Sequence, residues 1–378
     1  EKVVKRLKQT LRESDFIARV DGDQLCILAN DIVYEEGAAK IAQNCLNAIN
    51  QPLRQDDIEL APMARIGIAL YPDDAGSKHQ LIKAAITASK TARSDSKQMF
   101  AFFNRERMNQ VSQSLAYQQD LREALQQQQF KLFYQPIVST RNGNRMVAVE
   151  VILLWYHPGR GLVQDDDCIP LLERMSKLQP LFDWMLDMVL KDLQQWVRQG
   201  SEIRVALKLH PSQFHDNNLI DSLRQRLDDS AISPELLTLQ IGCDSIINNP
   251  SIESYLNSLK SLGVSLILDD FGSGDTSLSA IKKLPLDYLK IDSDFVIEIL
   301  NENENPALLW AIIGIGNAMG YSVIAEGVEN LHQLKTLEVY GCDLFQGGFF
   351  SAPLNAIDVP GLVVKGPLSE NHSDSKPS

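Results

Sequence analysis

The sequence predicts an α/β protein in which a TIM-like (β/α)8 barrel follows a smaller, partial α/β domain. From Phe130 to about Leu362, eight strand-like apolar runs alternate with helical segments over about 230 residues, a pattern typical of that barrel. Residues 1–103 carry a shorter series of helices and strands. We therefore expect a first domain at 1–103, a linker helix at 104–129, the barrel at 130–362 and a disordered polar tail at 363–378.

The first domain combines a hairpin with two amphipathic helices. The stretch "FIARVDGDQLCILAND" (16–31) places two apolar runs around Asp-Gly, which is the strongest short hairpin signal. We expect a helix over roughly 35–51, a strand in "MARIGIALYP" (63–72) and a helix in "SKHQLIKAAITASKTARS" (77–94). So few strands give a thin core, which is consistent with part of a larger domain.

The barrel prediction rests on eight runs rich in apolar and β-branched residues, separated by helices such as "PLFDWMLDMVLKDLQQWVRQG". The runs are "FKLFYQPIV" (130–138), "MVAVEVILLW" (146–155), "IRVALKL" (203–209), "LLTLQIG" (236–242), "VSLILDDFG" (264–272), "YLKID" (288–292), "YSVIAEGVE" (321–329) and "LFQGG" (344–348). Trp155, Trp184, Trp196 and Trp310 are expected to pack in the core. His157 and His210 are expected to serve a turn or the surface rather than a metal.

Polar side chains collect near the carboxyl ends of these strands, where barrel enzymes place their active sites. They are Glu150, Asp269, Asp270, Lys290, Asp292, Glu326 and Gln346. A single acidic residue after a strand is often a helix N-cap. Adjacent carboxylates after a buried strand, however, require a cation or strong hydrogen-bond donors. The set therefore resembles a divalent-metal site suited to phosphodiester hydrolysis.

Five motifs between Phe130 and Leu354 resemble those of EAL-domain cyclic di-GMP phosphodiesterases. They are "YQPIV" (134–138), "DDFGSG" (269–274), "LKID" (289–292), "AEGVE" (325–329) and "GCDLFQGGFFSAPL" (341–354). The resemblance implies a barrel that cleaves cyclic di-GMP with two Mg²⁺ or Mn²⁺ ions. It also implies a ligand pocket, lined by Gln135, Glu150, Leu153, Asp270, Lys290, Glu326, Gln346, Phe349 and Pro353.

Three departures from the family pattern argue against hydrolysis. In the stretch that corresponds to the family's "EALLRW", the acid is kept as Glu150 but Leu154 takes the place of the arginine that grips a phosphate. Lys208 takes the place of an asparagine metal ligand, and Gln240 that of a glutamate ligand. We expect no catalytic residue and no metal site, with Glu150, Asp269 and Asp270 as remnant ligands. Mg²⁺ or Mn²⁺ would be a cofactor only if some hydrolytic activity remained.

The Lys208 ammonium could instead take the place of a metal ion by pairing with Asp269 or Glu150.

Residues 1–103 resemble the second half of a GGDEF (diguanylate cyclase) domain. "RESDFIARVDGDQLCIL" (12–28) and "GIALYPDD" (67–74) carry the resemblance. The signature reads Asp21-Gly22-Asp23-Gln24-Leu25 and lacks the family's first glycine and its glutamate, so we expect no cyclase activity. Arg12 and Asp15 match the family's inhibitory RxxD site; the simpler interpretation is a helix-end arginine and a capping aspartate.

The favoured hypothesis is a catalytically inactive homologue that serves as a cyclic di-GMP receptor, similar to FimX or LapD. The alternatives are a nucleotide-independent, CsrD-like regulator that binds a regulatory protein, and an active phosphodiesterase. A formal net charge of -13 and a pI near 5.0 disfavour duplex nucleic acid as a partner. A homodimer is compatible with the sequence.

Compartment and chain ends give one further expectation. The five cysteines are scattered without CxxC spacing and no signal peptide is visible, which predicts a cytoplasmic location. The chain opens without Met, which is compatible with its being the cytoplasmic part of a larger membrane protein.

Overall fold

The computed structural model describes residues 2–22, 24–55, 58–60, 62–94, 99–141, 145–215, 218–247, 249, 251–272, 277–299 and 307–364. These belong to two compact units, Glu1–Arg122 and Glu123–Ser378. Most of the predicted tail and Asp23 of the signature turn lie outside the described residues. Within the described part of the chain, no helix combines the length and the apolar character needed to cross a membrane.

The first unit contains short strands and amphipathic helices. In chain order its elements are α1 (Lys2–Thr10), β1 (Phe16–Asp21), β2 (Gln24–Leu28), α2 (Glu35–Asn50), β3 (Leu53–Gln55), β4 (Ile58–Leu60), β5 (Ile66–Ile68), α3 (Lys78–Ser94), β6 (Phe100–Phe102) and most of α4 (Arg105–Gln126), which crosses the unit boundary after Arg122. The predicted hairpin is confirmed, because β1 and β2 pair antiparallel with Ile17 opposite Ile27. Strands β3, β4 and β6 were not predicted, because three residues are too few to show an alternating pattern. Strand β5 is equally short but lies within the longer predicted stretch 63–72.

The second unit begins with three consecutive strands and then alternates strands with one or two helices. After α4 come β7 (Phe130–Ser139), β8 (Arg145–His157), β9 (Gly161–Gln164), α5 (Asp165–Arg174), α6 (Leu178–Arg198), β10 (Arg204–Leu209), α7 (Leu219–Ser230), β11 (Leu237–Gly242), α8 (Asp244–Ile247), α9 (Ile252–Lys260), β12 (Ser265–Phe271), α10 (Leu278–Ile281), β13 (Tyr288–Ile291), α11 (Ser293–Glu298), α12 (Ala307–Ala318), β14 (Ser322–Ala325), α13 (Leu331–Val339), β15 (Leu344–Phe345) and α14 (Val359–Val364). Short 3₁₀ turns cover Pro211–His215 and Pro234–Leu236.

The predicted barrel is confirmed. The strands follow the order β10-β11-β12-β13-β14-β15-β7-β8, and β8 also pairs with β10, which closes the sheet. Strand β9 extends β8 as a hairpin.

One barrel strand runs against the others. β7 is antiparallel to both β8 and β15, whereas β10 to β15 run parallel. The connection from β7 to β8 is too short to hold a crossover helix, so the two strands can pair only as a hairpin. The Asn-Gly pair at 142–143 is the sequence signal for this hairpin, although those residues lie outside the described part.

Two tryptophans confirm the core prediction and one contradicts it. Trp155 and Trp196 are fully buried, and Trp184 is half-buried. The prediction for Trp310 is wrong, because its side chain on α12 is 58% exposed. Helix α12 is apolar on nearly all sides, so its sequence does not show which face packs inward; Leu309 and Ile313 do so.

Candidate functional site

The candidate site is a layer of polar side chains that lies above an apolar layer inside the barrel. Ile137, Ala206, Ile267 and Ile324 form the apolar cluster, with Ala148 and Tyr288 against it. Residues two positions along a strand face the same side. The side chains two positions further toward the carboxyl ends of the parallel strands therefore share the barrel interior. They are Glu150, Lys208, Asp269, Lys290 and Glu326, with Gln135 from antiparallel β7.

Lys290 is the centre of this layer. Its ammonium lies 2.7 Å from Glu150 Oε2, 2.7 Å from Glu326 Oε2 and 3.8 Å from Asp269 Oδ1. Burial alone would lower the pKa of Lys290, but the three carboxylates outweigh burial and hold that pKa well above its ordinary value. Lys290 is therefore a permanent buried cation that holds the carboxylates together.

Glu150 is surrounded by N–H donors. The Gln240 amide donates to Glu150 Oε1 at 3.0 Å, and the Gln346 amide donates to Oε2 at 2.7 Å, alongside Lys290. Gln346 also donates to Gln135 Oε1 at 3.1 Å. Gln135 and Glu150 are direct partners across β7 and β8, so the hairpin register itself sets this contact. The Glu150 carboxylate is thus tolerated inside the barrel because N–H donors surround it.

The adjacent carboxylates Asp269 and Asp270 share the Lys208 ammonium. Lys208 Nζ lies 3.2 Å from Asp269 Oδ2 and 3.5 Å from Asp270 Oδ2. Burial would raise the pKa of Asp269, but Lys290 and Lys208 together hold that pKa below its ordinary value. Burial and the neighbouring Asp269 raise the pKa of Asp270. The two carboxyls therefore differ in environment, one locked as a buried anion and the other half-exposed.

Asp270 adopts a left-handed backbone conformation with φ 56°. Its backbone N–H donates to Asp269 Oδ1 at 3.1 Å. A non-glycine residue in this region costs about 1 kcal/mol or more unless its surroundings enforce it. The conformation turns the chain just after the strand, so that both carboxylates meet the same ammonium.

The donor set at this position does not fit a divalent cation. Mg²⁺ and Mn²⁺ need several oxygen ligands, yet the Gln240 amide faces Glu150 and Asp269 with N–H groups at 3.0 and 3.4 Å. Turning the amide over would bring its oxygen against two carboxylates. The Lys208 ammonium already lies on Asp269. Among the described residues, no three His, Cys, Asp or Glu side chains converge as metal ligands.

The remaining predicted pocket residues differ in position. Leu154 lies on the same side of β8 as Glu150, whereas strand alternation puts Leu153 on the opposite side, so the structure does not bring Leu153 beside Glu150. Phe349 is half-buried and packs against Phe350 with ring centroids 5.2 Å apart. Pro353 is exposed next to the β-bridge between Tyr134 and Leu354.

Other candidates have local structural roles. Asp292 caps α11 by accepting a hydrogen bond from the Asp294 N–H. His157 Nδ1 accepts hydrogen bonds from the Gly159 and Arg160 N–H groups, as expected for a turn residue. Gln240 was predicted only as the replacement of a glutamate ligand, and its role as a hydrogen-bond donor was not predicted. Its alternation with Thr238 on β11 is the signal that places it inside the barrel.

In the first unit, Asp15 holds its own turn. Its carboxylate accepts hydrogen bonds from the Arg12 N–H at 3.0 Å and the Asn30 N–H at 3.4 Å. Arg12 lies three positions before Asp15 in the chain, and its side chain is exposed. At the signature turn, Gly22 has φ 45° and its carbonyl accepts a hydrogen bond from Arg19 Nε at 2.8 Å.

A cavity of about 310 Å³ lies at the other end of the barrel. It is lined by Ser139, Arg145, Met146, Val147, Glu202, Ile203 and Arg204. These residues are at the start of β8 and β10 and the end of β7, away from the polar layer. The cavity contains none of the predicted site residues.

Two family profiles match the chain. Residues 118–353 match the "EAL domain" family and residues 1–99 match "Diguanylate cyclase, GGDEF domain".

Curated relatives cover nearly the whole chain. "Cyclic di-GMP phosphodiesterase NbdA" of Pseudomonas aeruginosa is 33% identical over 354 residues, which are 93% of this chain and 45% of that protein. "Bifunctional diguanylate cyclase/cyclic di-GMP phosphodiesterase MucR" of the same organism is 32% identical over 94% of this chain and 52% of its own length. The chain thus spans about half the length of these relatives.

Solved structures share the fold. "PaMucR Phosphodiesterase, c-di-GMP complex" is 32% identical with a TM-score of 0.62, covering 65% of this chain and 99% of that one. The EAL enzyme Bd1971 in its "cAMP and cyclic-di-GMP bound form" is 27% identical with a TM-score of 0.63, covering 69% and 73%. The FimX EAL domain of Pseudomonas aeruginosa, 23% identical with a TM-score of 0.57 over 64% and 96%, shows the fold alone.

Proposed function

The chain belongs to the EAL domain family, a signalling family related to cyclic di-GMP phosphodiesterases, and we propose that its barrel binds cyclic di-GMP without hydrolysing it. The protein would then act as a receptor in signalling. The first unit carries the GGDEF relationship without, in this proposal, any cyclase activity.

Binding is supported by the ordered polar layer. Gln135, Glu150, Lys290, Glu326 and Gln346 are joined by direct contacts of 2.7–3.1 Å. Because these side chains are already held in place, a ligand would not have to order them. The 32% identical phosphodiesterase whose structure is a c-di-GMP complex supports this ligand class for the related site.

The observation that carries the absence of hydrolysis is the Gln240 amide between Glu150 and Asp269. Metal-assisted hydrolysis needs carboxylate oxygens free to hold the cations that activate water. Here amide N–H groups and the Lys208 ammonium occupy those oxygens. Leu154 also offers no donor to a phosphate, so a charge that would stabilise the reacting group is missing.

A calorimetric titration of the purified chain with cyclic di-GMP, followed by chromatography of the recovered nucleotide, tests this function. We expect a saturable heat of binding and intact cyclic dinucleotide with Mg²⁺ or Mn²⁺ present. Appearance of the linear dinucleotide pGpG would contradict the absence of hydrolysis. A flat titration would contradict the receptor function.

A second candidate is a nucleotide-independent regulator that binds a regulatory protein. It is favoured by the charge of the layer, because Glu150, Asp269, Asp270 and Glu326 face only two ammonium groups. This formal excess of two negative charges repels a dianionic ligand. A flat titration together with a protein partner retained equally with and without cyclic di-GMP would establish it. Sedimentation of the purified chain would show whether that regulator is a homodimer.

A further inference from the structure

We propose that the Lys208 ammonium replaces a divalent cation in this site and contacts a phosphodiester group of the bound nucleotide directly. The inference rests on the proposed function and adds the residue that recognises the ligand's negative charge. It follows that nucleotide binding does not depend on metal ions.

The position of Lys208 supports this role. Its ammonium joins the buried Asp269, whose side chain is 3% exposed, to Asp270, whose side chain is 45% exposed. The Lys208 side chain itself is 50% exposed. An ammonium group has three N–H donors, and two aspartates account for two of them. Among the described residues, Asp269 and Asp270 are the ion-pair partners of this ammonium, so the inference assigns its third donor to the ligand.

The second cation described in the layer is less suited to this role. The Lys290 side chain is 2% exposed, and its ammonium is enclosed by Glu150, Glu326 and Asp269. Leu154 has no charge. Lys208 is therefore the accessible one of the two ammonium groups described in the layer, and a charge-assisted hydrogen bond to a phosphate oxygen is the strongest polar contact it can make.

The Lys208 ammonium keeps its positive charge in this site. Burial would lower the pKa of Lys208, but Asp269 and Asp270 outweigh it and raise that pKa, so the group stays cationic at neutral pH. Each aspartate holds the ammonium at a fixed place before a ligand arrives. A preorganised cation at the rim of a half-buried site acts as the divalent ion would, by offsetting phosphate charge, but it supplies no activated water.

The test is calorimetric titration of cyclic di-GMP into the full chain, once with excess EDTA and once with Mn²⁺. Wild type is compared with Lys208→Met, Lys208→Arg and the control Lys335→Met, whose exposed ammonium on α13 pairs only with Glu338 among the described residues. We expect equal wild-type affinities in both buffers, and a loss of about tenfold or more for Lys208→Met. Lys208→Arg should keep most of the affinity and Lys335→Met all of it.

Three results would overturn the inference. Binding that appears only with Mn²⁺ assigns the phosphate charge to a metal, and unchanged affinity of Lys208→Met assigns it elsewhere. In both cases the receptor function stands. Absence of wild-type binding in either buffer removes the proposed function and the inference with it. Lys208→Met removes the ammonium that pairs with Asp269, which can destabilise the barrel, so tryptophan fluorescence of each variant checks folding. Lys208→Arg keeps a positive charge beside Asp269 and therefore separates loss of charge from loss of folding.

Discussion

The side-chain amide of Gln240 donates a 3.0 Å hydrogen bond to Oε1 of Glu150 across the barrel interior. The same nitrogen lies 3.4 Å from Asp269 Oδ2, so one neutral group bridges two buried carboxylates. A carboxylate in its place would need a cation to be tolerated. In the folded barrel a neutral donor therefore lies between the two buried carboxylates.

Replacing the bridge with a charge should destabilise the barrel. Gln240→Glu adds a carboxylate beside Glu150 and Asp269 but adds no cation to the Lys208 and Lys290 ammonium groups already paired there. We expect a cost of about 3–5 kcal/mol if the new carboxylate stays ionised. All four tryptophans lie in the second unit, so fluorescence during urea unfolding reports on the barrel. Gln225→Glu, on an exposed position of α7, is the matched control. Equal urea midpoints for Gln240→Glu and the control would contradict the bridging role.

Restoring the family's ligands should restore metal binding. The double variant Lys208→Asn with Gln240→Glu removes the ammonium and supplies a carboxylate, so Mn²⁺ can take the released oxygens. We expect a calorimetric Mn²⁺ signal for the double variant and none for wild type. Fully saturable Mn²⁺ binding by the wild-type chain would show that the donors do not block the site.

Removing the central cation should be more damaging than removing a surface cation. Lys290→Met leaves Glu150, Glu326 and Asp269 without a shared partner, at a cost of about 3–5 kcal/mol. Lys335→Met, at an exposed i,i+3 pair with Glu338, should cost about 0.5 kcal/mol or less. The two variants are compared by their urea unfolding midpoints, measured by tryptophan fluorescence. Similar midpoints would argue against Lys290 as the centre of the layer.

Barrel stability should depend on pH through Glu326. Burial raises the pKa of Glu326 above the ordinary 4.5, and this outweighs the lowering effect of Lys290. The folded protein therefore binds this proton more tightly than the unfolded chain, so its contribution is lost as pH rises from about 4.5 through the raised folded pKa. Glu326→Gln should lose less stability than wild type over that interval. Parallel curves of thermal midpoint against pH for the two proteins would contradict the assignment.

Short sequence patterns were enough to predict the first hairpin and the strands and helices of the barrel. Asp21-Gly22 indicated the first hairpin, and the alternation of strands and helices indicated the closed barrel. The motif resemblance to the EAL and GGDEF families is confirmed by the family matches. The exposure of Trp310 was not predictable, because a helix that is apolar on all sides does not reveal its packed face.

The contacts of the site required the folded chain. The bonds from Gln240, Lys290 and Gln346 to Glu150 join residues separated by 90, 140 and 196 positions. No periodicity extends over such distances. The sequence could state that Gln240 and Lys208 replace the family's ligands, but only the barrel register shows that their N–H groups fill the oxygens that a metal would need.

A turnover assay of the wild-type chain with cyclic di-GMP and Mn²⁺ tests directly whether the barrel binds the nucleotide without hydrolysing it. The MucR phosphodiesterase provides the positive control, and chromatography quantifies the linear product. We expect the wild-type chain to return all of the nucleotide intact while calorimetry on the same sample shows binding. Repeated conversion to pGpG by the wild-type chain would contradict it.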